Sequence, residues 1–348
     1  MSRNPKNKLR EPIPIPPPAP LPEPEEIDFA QILEEYSSGK IDLVVVLGPT
    51  ASGKTRYAVN LAREFGKVRP AEILSADSRQ VYKGMDIGTG KDLDEYGEIP
   101  YHLIDIVPAG TRFDLFQWQQ AFEAAYSGIR ERGAIPILCG GTGLYIQAAT
   151  TGYTLPQVPP NEALRAELEQ FDTEELIGKL ASFGQLPDEG VLQSRRRIIR
   201  ALEVALYEQE HPVVRSNFPP KKAYYIGTLV SREERNARID RRLDERLENG
   251  MVEEVKGLLD SGIRAEDLVY YGLEYKFVTQ HVLGILSYDD LCDLAFRIDH
   301  HLRGEALYLI ELSQRGQEVV AATHVEPRQL ILFYSRLPFL LRITTVDA

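Results

Sequence analysis

Apolar positions along the chain follow two rhythms. Short unbroken apolar runs, each closed by Gly or a polar residue, predict buried strands at 41–47, 72–76, 135–139 and 224–230, with a weaker candidate at 102–107. Between them, apolar residues recur at helical spacing. Leu115, Trp118, Ala121, Phe122, Ala125 and Ile129 predict a helix over 115–132. Further helices are predicted at 27–37, at 55–65 and after Gly143. Ser231 and Gly250 bracket a long charged helix running to about 249. Another follows at 252–260, stopped by Ser261-Gly262, and helical stretches continue to about 314.

Strands alternating with helices predict an α/β fold, a parallel sheet with helices on both faces. Ligands of such sheets gather outside the carboxyl ends of the strands. The rhythm breaks after Gly152. Pro156, Pro159 and Pro160 mark a linker, and helical patterns follow at 162–171, 174–181 and 194–208. Residues 153–222 therefore read as a helical insertion that divides a core of 27–152 and 223–315. Residues 1–26 are dominated by proline, as in Ile13-Pro14-Ile15-Pro16-Pro17-Pro18, and predict a disordered tail. Residues 316–348 carry β-like runs at 330–334 and 340–343 but form a tail of unknown structure.

Composition narrows the class. The net charge is −12, from 40 basic and 52 acidic residues in 348, which excludes a generally basic nucleic-acid coat. A local basic groove remains open, because distribution decides binding. Cys139 and Cys292 provide neither a disulfide framework nor metal-ligand spacing. No apolar run is long enough to span a bilayer, and the basic amino terminus has no apolar stretch behind it. No membrane partner is expected; a cytoplasmic enzyme is the default.

The chemistry centres on Gly48-Pro49-Thr50-Ala51-Ser52-Gly53-Lys54-Thr55, a G-x-x-x-x-G-K-T phosphate loop between a predicted strand and helix. Its glycines let backbone N–H groups turn inward around phosphate oxygens. Lys54 reaches the outer phosphate, and the Thr55 hydroxyl is a ligand for Mg²⁺. The fold class is thus P-loop NTPase-like. Asp77 follows the 72–76 strand and can be a general base, a Mg²⁺ ligand or a helix cap. Gly140-Gly141-Thr142-Gly143 follows another strand, as a plain turn or as a close backbone approach with a hydroxyl on offer. Arg238 and Arg242 share a helix face, and their interleaved acids read equally as a self-paired surface. Ser194-Arg195-Arg196-Arg197-Ile198-Ile199-Arg200 is the densest basic run, either a holder of nucleic-acid phosphates or a solvated helix face.

Taken together these blocks resemble the tRNA dimethylallyltransferase (isopentenyltransferase, IPP transferase) family. The resemblance rests on 48–55, on Ser75-Ala76-Asp77-Ser78-Arg79-Gln80-Val81-Tyr82-Lys83-Gly84-Met85-Asp86-Ile87-Gly88-Thr89, and on Pro100-Tyr101-His102-Leu103-Ile104-Asp105. Gly140 to Tyr145, Arg200-Ala201-Leu202-Glu203-Val204 and Arg238-Ile239-Asp240-Arg241-Arg242 match in the same order, from about 41 to about 262. It implies transfer of a dimethylallyl group from dimethylallyl diphosphate to N6 of an adenine next to the tRNA anticodon. It also implies roles. Asp77 is the base. Lys54, Thr50 and Arg242, with the rest of the loop, hold the diphosphate together with Mg²⁺ on Thr55. Thr142 lines the channel, Ser78, Arg79 and Gln80 hold the base, and Arg165, Arg196, Arg197 and Arg200 touch RNA.

The chain departs from the family pattern at Gly272-Leu273-Glu274-Tyr275, around 299–305 and in a short insertion near 183–193. These departures fall on the RNA side. A free adenine nucleotide therefore stands as the alternative acceptor. A small-molecule kinase and a non-catalytic RNA-binding relative are the remaining readings.

Overall fold

The computed structural model describes residues 26–292, except 153, 185–188, 193, 214, 216 and 217, together with 319–323 and 342–345. The proline-rich tail up to residue 25, the apolar run at 330–334 and the helical stretch from 293 to 314 lie outside the described residues.

The first half runs α1 (Phe29–Ser37), β1 (Leu43–Leu47), α2 (Lys54–Gly66), β2 (Ala71–Ser75), β3 (Tyr82–Lys83), β4 (Tyr101–His102), β5 (Val107–Pro108), α3 (Leu115–Glu131), β6 (Ile135–Gly140) and α4 (Gly143–Thr150). Then follow α5 (Glu162–Leu168), α6 (Thr173–Ala181), α7 (Glu189–Leu192) and α8 (Arg195–Glu210). The chain returns through β7 (Ala223–Leu229), α9 (Arg232–Glu248), α10 (Met251–Asp260), α11 (Ala265–Tyr270) and α12 (Leu273–Val282), and β8 (Val319–Thr323) and β9 (Arg342–Thr345) come last.

The main sheet has seven strands in the order β4-β2-β6-β1-β7-β8-β9, and every described pairing is parallel. A parallel strand covered on both faces reads as a near-continuous apolar run. Leu43–Leu47 is such a run, and all of it is buried. Alternation divides it between two cores. Leu43, Val45 and Leu47 pack with Trp118, Phe122, Ile146 and Val255. Val44 and Val46 pack with Ile32, Tyr36, Leu61 and Phe65 on the opposite face. Leu168, Leu176, Leu180, Ile198, Ile199 and Leu202 form a third cluster within α5 to α8.

Helix ends follow local chemistry. Asp114 and Gln117 close a capping box at the start of α3, and Ser231 Oγ accepts the Glu234 N–H at the start of α9. Such caps contribute about 1 kcal/mol each.

One expectation changes. The run at 102–107 is not one strand. Tyr101–His102 pairs with β2, and Val107–Pro108 pairs with β3 in a separate two-stranded sheet. Leu103 and Asp105 between them have positive φ, 68° and 56°. The cause is Lys91, which is 2% exposed. A buried ammonium needs acceptors, and Lys91 donates to Tyr82 O (2.8 Å), to Asp86 (2.6 Å) and to Asp105. Turning Asp105 toward it breaks the extended run. Within 316–348, whose structure the sequence left unknown, β8 and β9 extend the sheet beyond β7.

Candidate active site

The register of the central strands lines up their carboxyl ends. Leu47 pairs with Gly140 on one side and Gly227 on the other, and Ser75 pairs with Cys139. The phosphate loop, the 77–80 segment and Gly141-Thr142 follow the aligned ends of β1, β2 and β6.

The phosphate loop leaves β1 at Gly48, where no side chain fits. A Cβ there would lie 2.1 Å from Thr228 Oγ1 and 2.6 Å from Thr228 O. Ser52 and Thr228 hydroxyls hydrogen bond at 2.6 Å and tie the loop to β7. Ala51 and Gly53 both have positive φ, 61° and 81°. That curl aims successive N–H groups inward as an anion nest. Gly53 precedes α2 without a side-chain cap, so the first N–H groups of the helix are open to an anion. Lys54 Nζ folds over the loop onto Pro49 O at 3.2 Å. Thr50 is exposed at the crown and Thr55 is half-buried in the first turn of α2.

At the end of β2, Asp77 Oδ1 accepts the Arg79 N–H at 2.8 Å. This turn orients the carboxylate and leaves the other oxygen for a ligand. Ser75 Oγ donates to Gln80 Oε1 (3.0 Å), and Gln80 Nε2 donates to Gly90 O (3.2 Å). Beside it, β6 ends at Gly140, where a Cβ would lie 2.3 Å from Ala76 O. Only glycine lets the two strand ends come that close. Thr142 N then donates to Ala76 O at 3.0 Å. Thr142 is the N-cap residue of α4, yet its hydroxyl caps nothing in that helix. It accepts the Ser78 N–H at 3.0 Å instead. Cys139 beneath is buried, which pushes its thiol up to about 12 and keeps it protonated.

α9 closes the edge. Arg242 Nη2 donates to Asp92 at 3.1 Å. Arg238, one turn earlier, donates to Ala51 O within the phosphate loop at 3.3 Å. Arg238 was not among the predicted site residues, although the four-residue spacing had put it on the same face. The element that departs at 272–275 is also built in. A Cβ at Gly272 would lie 2.0 Å from Arg79 Nη1, so Arg79 packs on bare backbone. Glu274 lies 3.8 Å from Arg246.

The basic residues of the 153–222 segment divide. Arg165 and Arg200 both reach Glu203, which is 2% exposed. Burial raises the Glu203 pKa, but the two guanidiniums and the Asn161 N–H outweigh it and bring it below the usual range. Arg196 and Arg197 are exposed on α8, and Arg196 lies 5.7 Å from the Tyr270 ring. Among the described residues no His, Cys, Asp and Glu cluster of three or more can hold a metal ion, and no helix is long and apolar enough to cross a membrane.

A parallel sheet with a phosphate loop, a carboxylate and a hydroxyl gathered at its carboxyl edge defines a P-loop α/β protein. The IPP transferase family model matches residues 80–302. tRNA dimethylallyltransferase 1 of Porphyromonas gingivalis is 51% identical over 253 residues, 72% of this chain and 82% of that one. tRNA dimethylallyltransferase 2 of Bacteroides fragilis is 46% identical over 254 residues, with coverage of 72% and 82%. The full-length tRNA isopentenylpyrophosphate transferase of Bacillus halodurans, a solved structure, is 31% identical with a TM-score of 0.56, covering 81% of this chain and 89% of that one. A eukaryotic dimethylallyltransferase acting on tRNA shares the fold, with a TM-score of 0.63 at 20% identity over 81% of this chain and 73% of that one. The chain belongs to the IPP transferase family and is a prenyl-transferring enzyme.

Proposed function

We propose that this protein transfers a dimethylallyl group from dimethylallyl diphosphate to N6 of an adenine in tRNA, next to the anticodon. The observation that carries this reading is the juxtaposition of Asp77 and Thr142 with the phosphate loop across adjacent strand ends. The relatives above are named for tRNA, so the free adenine nucleotide is not the acceptor proposed.

The division of labour follows from charge. The adenine N6 attacks C1 of the prenyl group, the C1–O bond breaks, and its electron pair leaves with the diphosphate. The loop amides from Gly48 to Thr55, with Lys54 and Thr50, face that growing charge, where donors contribute most in the transition state. Arg238 and Arg242 bound it from α9. The N6 proton passes to Asp77, whose Oδ1 is already held by Arg79 N. Thr142 fixes Ser78, and Gln80 and Arg79 lie beside it to hold the base, which must leave its stack to be reached. Arg196 and Arg197 present exposed charge to RNA phosphates, while Arg165 and Arg200 fix that helix by way of Glu203.

The Thr55 hydroxyl, half-buried in the first turn of α2, would hold Mg²⁺ at the loop. When bound, the ion supplies countercharge to the leaving diphosphate.

The test is incubation of the protein with dimethylallyl diphosphate and either tRNA or AMP, followed by nucleoside mass spectrometry. Dimethylallyl-adenosine from tRNA is the expected product. Prenylated AMP alone, or phosphoryl transfer from ATP with no use of the prenyl donor, would refute the reading.

A further inference from the structure

Glu254 on α10 has no part in the chemistry above. Its carboxylate is nonetheless saturated. Oε2 accepts from Asp86 N and Ile87 N, both at 2.8 Å, and Oε1 accepts from Gly88 N at 3.2 Å and from Tyr275 Oη at 2.6 Å. Three successive amides converging on one carboxylate form a nest, here filled by the protein itself. Burial of Tyr275, and next the charge of Glu254, push the phenol pKa up, so it stays a donor.

The segment held this way is a platform of bare backbone. A Cβ at Gly88 would lie 2.5 Å from the Tyr275 ring. At Gly90 it would lie 2.0 Å from Arg246 Nη2 and 2.6 Å from Arg242 Nη2. The platform touches both halves of the site. Gly90 O accepts from Gln80, on the acceptor side, at 3.2 Å. Asp92 accepts from Arg242, on the diphosphate side, at 3.1 Å. Gly88 O accepts from Arg246 at 3.4 Å.

We propose that Glu254 is a positioning residue: seated in the amides of Asp86, Ile87 and Gly88, it sets the 86–92 segment and through it aligns Gln80 and Arg242 together. This role rests on the parts given to Gln80 and Arg242 in the proposed reaction. It predicts that donor and acceptor sites loosen together when one remote carboxylate is changed. A contact that only stabilised the fold would lower the melting temperature and leave the kinetics of the folded enzyme alone.

The test compares the full chain with Glu254→Gln and Tyr275→Phe. Glutamine keeps the size but turns an amide N–H₂ toward backbone donors. In Glu254→Gln, amide exchange over 86–92 should accelerate about tenfold while β1 and β6 stay protected, inorganic pyrophosphate should bind about fivefold more weakly, and kcat should fall about tenfold. Tyr275→Phe keeps the nest and should change each by less than about threefold. Exchange, pyrophosphate affinity and kcat all within about twofold of the native chain in Glu254→Gln would overturn the proposal. So would a lowered melting temperature with unchanged kinetics. A native chain that left tRNA unmodified would sink the transfer reading instead, and the exchange and pyrophosphate measurements would still decide the role of Glu254.

Discussion

The Thr142 hydroxyl accepts the backbone N–H of Ser78 at 3.0 Å, across two strand ends that meet only because Gly140 has no side chain. An N-cap threonine ordinarily bonds into its own helix. Here the hydroxyl bridges to the segment that carries Asp77. Thr142→Ala removes that acceptor and leaves a half-buried N–H unpaired, a loss of about 1–3 kcal/mol. If the bridge sets Asp77, kcat/KM should fall roughly 10- to 100-fold. Thr142→Ser should restore most of it. Equal activity of the alanine and native forms in steady-state assays would show the bridge to be incidental.

Asp77→Asn keeps the turn with Arg79 but cannot take a proton. Turnover should fall by roughly 10² to 10⁴ while donor affinity stays near native. Near-native turnover in rapid-quench measurements would remove Asp77 from the role of base.

Gly48→Ala places a methyl group against the Thr228 hydroxyl and carbonyl, both closer than carbon can approach. The loop must shift, at a cost of about 1–3 kcal/mol. Diphosphate binding should be lost before the fold is, which calorimetry and circular dichroism on one sample can separate. Intact donor binding would mean that the loop tolerates the displacement.

Glu72 accepts two hydrogen bonds from Arg132, at 2.9 and 2.7 Å, and lies 2.6 Å from His102 Nε2. The Arg132 hydrogen bond chiefly lowers its pKa below the ordinary 4.5, against an opposing effect of burial. A lowered carboxyl contributes stability above its unfolded value and loses it as pH falls through the folded value. The native chain should therefore exceed Glu72→Gln in stability at neutral pH, and the gap should close on acidification below about 4.5. A gap independent of pH in denaturant titrations would contradict this.

Much of the site was legible because it is local. The phosphate loop and Asp77 each follow a strand directly, and the parallel register brings their positions together without further information. The sheet was legible for the same reason, since the run of buried positions in Leu43–Leu47 needs cover on both faces. What was not legible depends on distant partners. The break between β4 and β5 answers to Lys91, whose burial no periodicity reveals. The seat of Glu254 joins positions 168 residues apart. Arg238 could be placed on the face of Arg242, but only the packing of α9 shows that it reaches Ala51 O. The strands at Val319–Thr323 and Arg342–Thr345 carry weak β patterns that make sense only once β7 offers an edge to β8, and β8 in turn to β9.

The most direct test is which phosphate ester the loop holds. Dimethylallyl diphosphate and ATP are titrated separately, with Mg²⁺, into the native chain and into Lys54→Ala, and the heat is recorded. The prenyl diphosphate should bind the native chain, displace any ATP, and bind Lys54→Ala at least about tenfold more weakly, as expected for loss of a charged hydrogen bond. Tight ATP binding with no heat from the prenyl ester, or an affinity indifferent to Lys54, would contradict it.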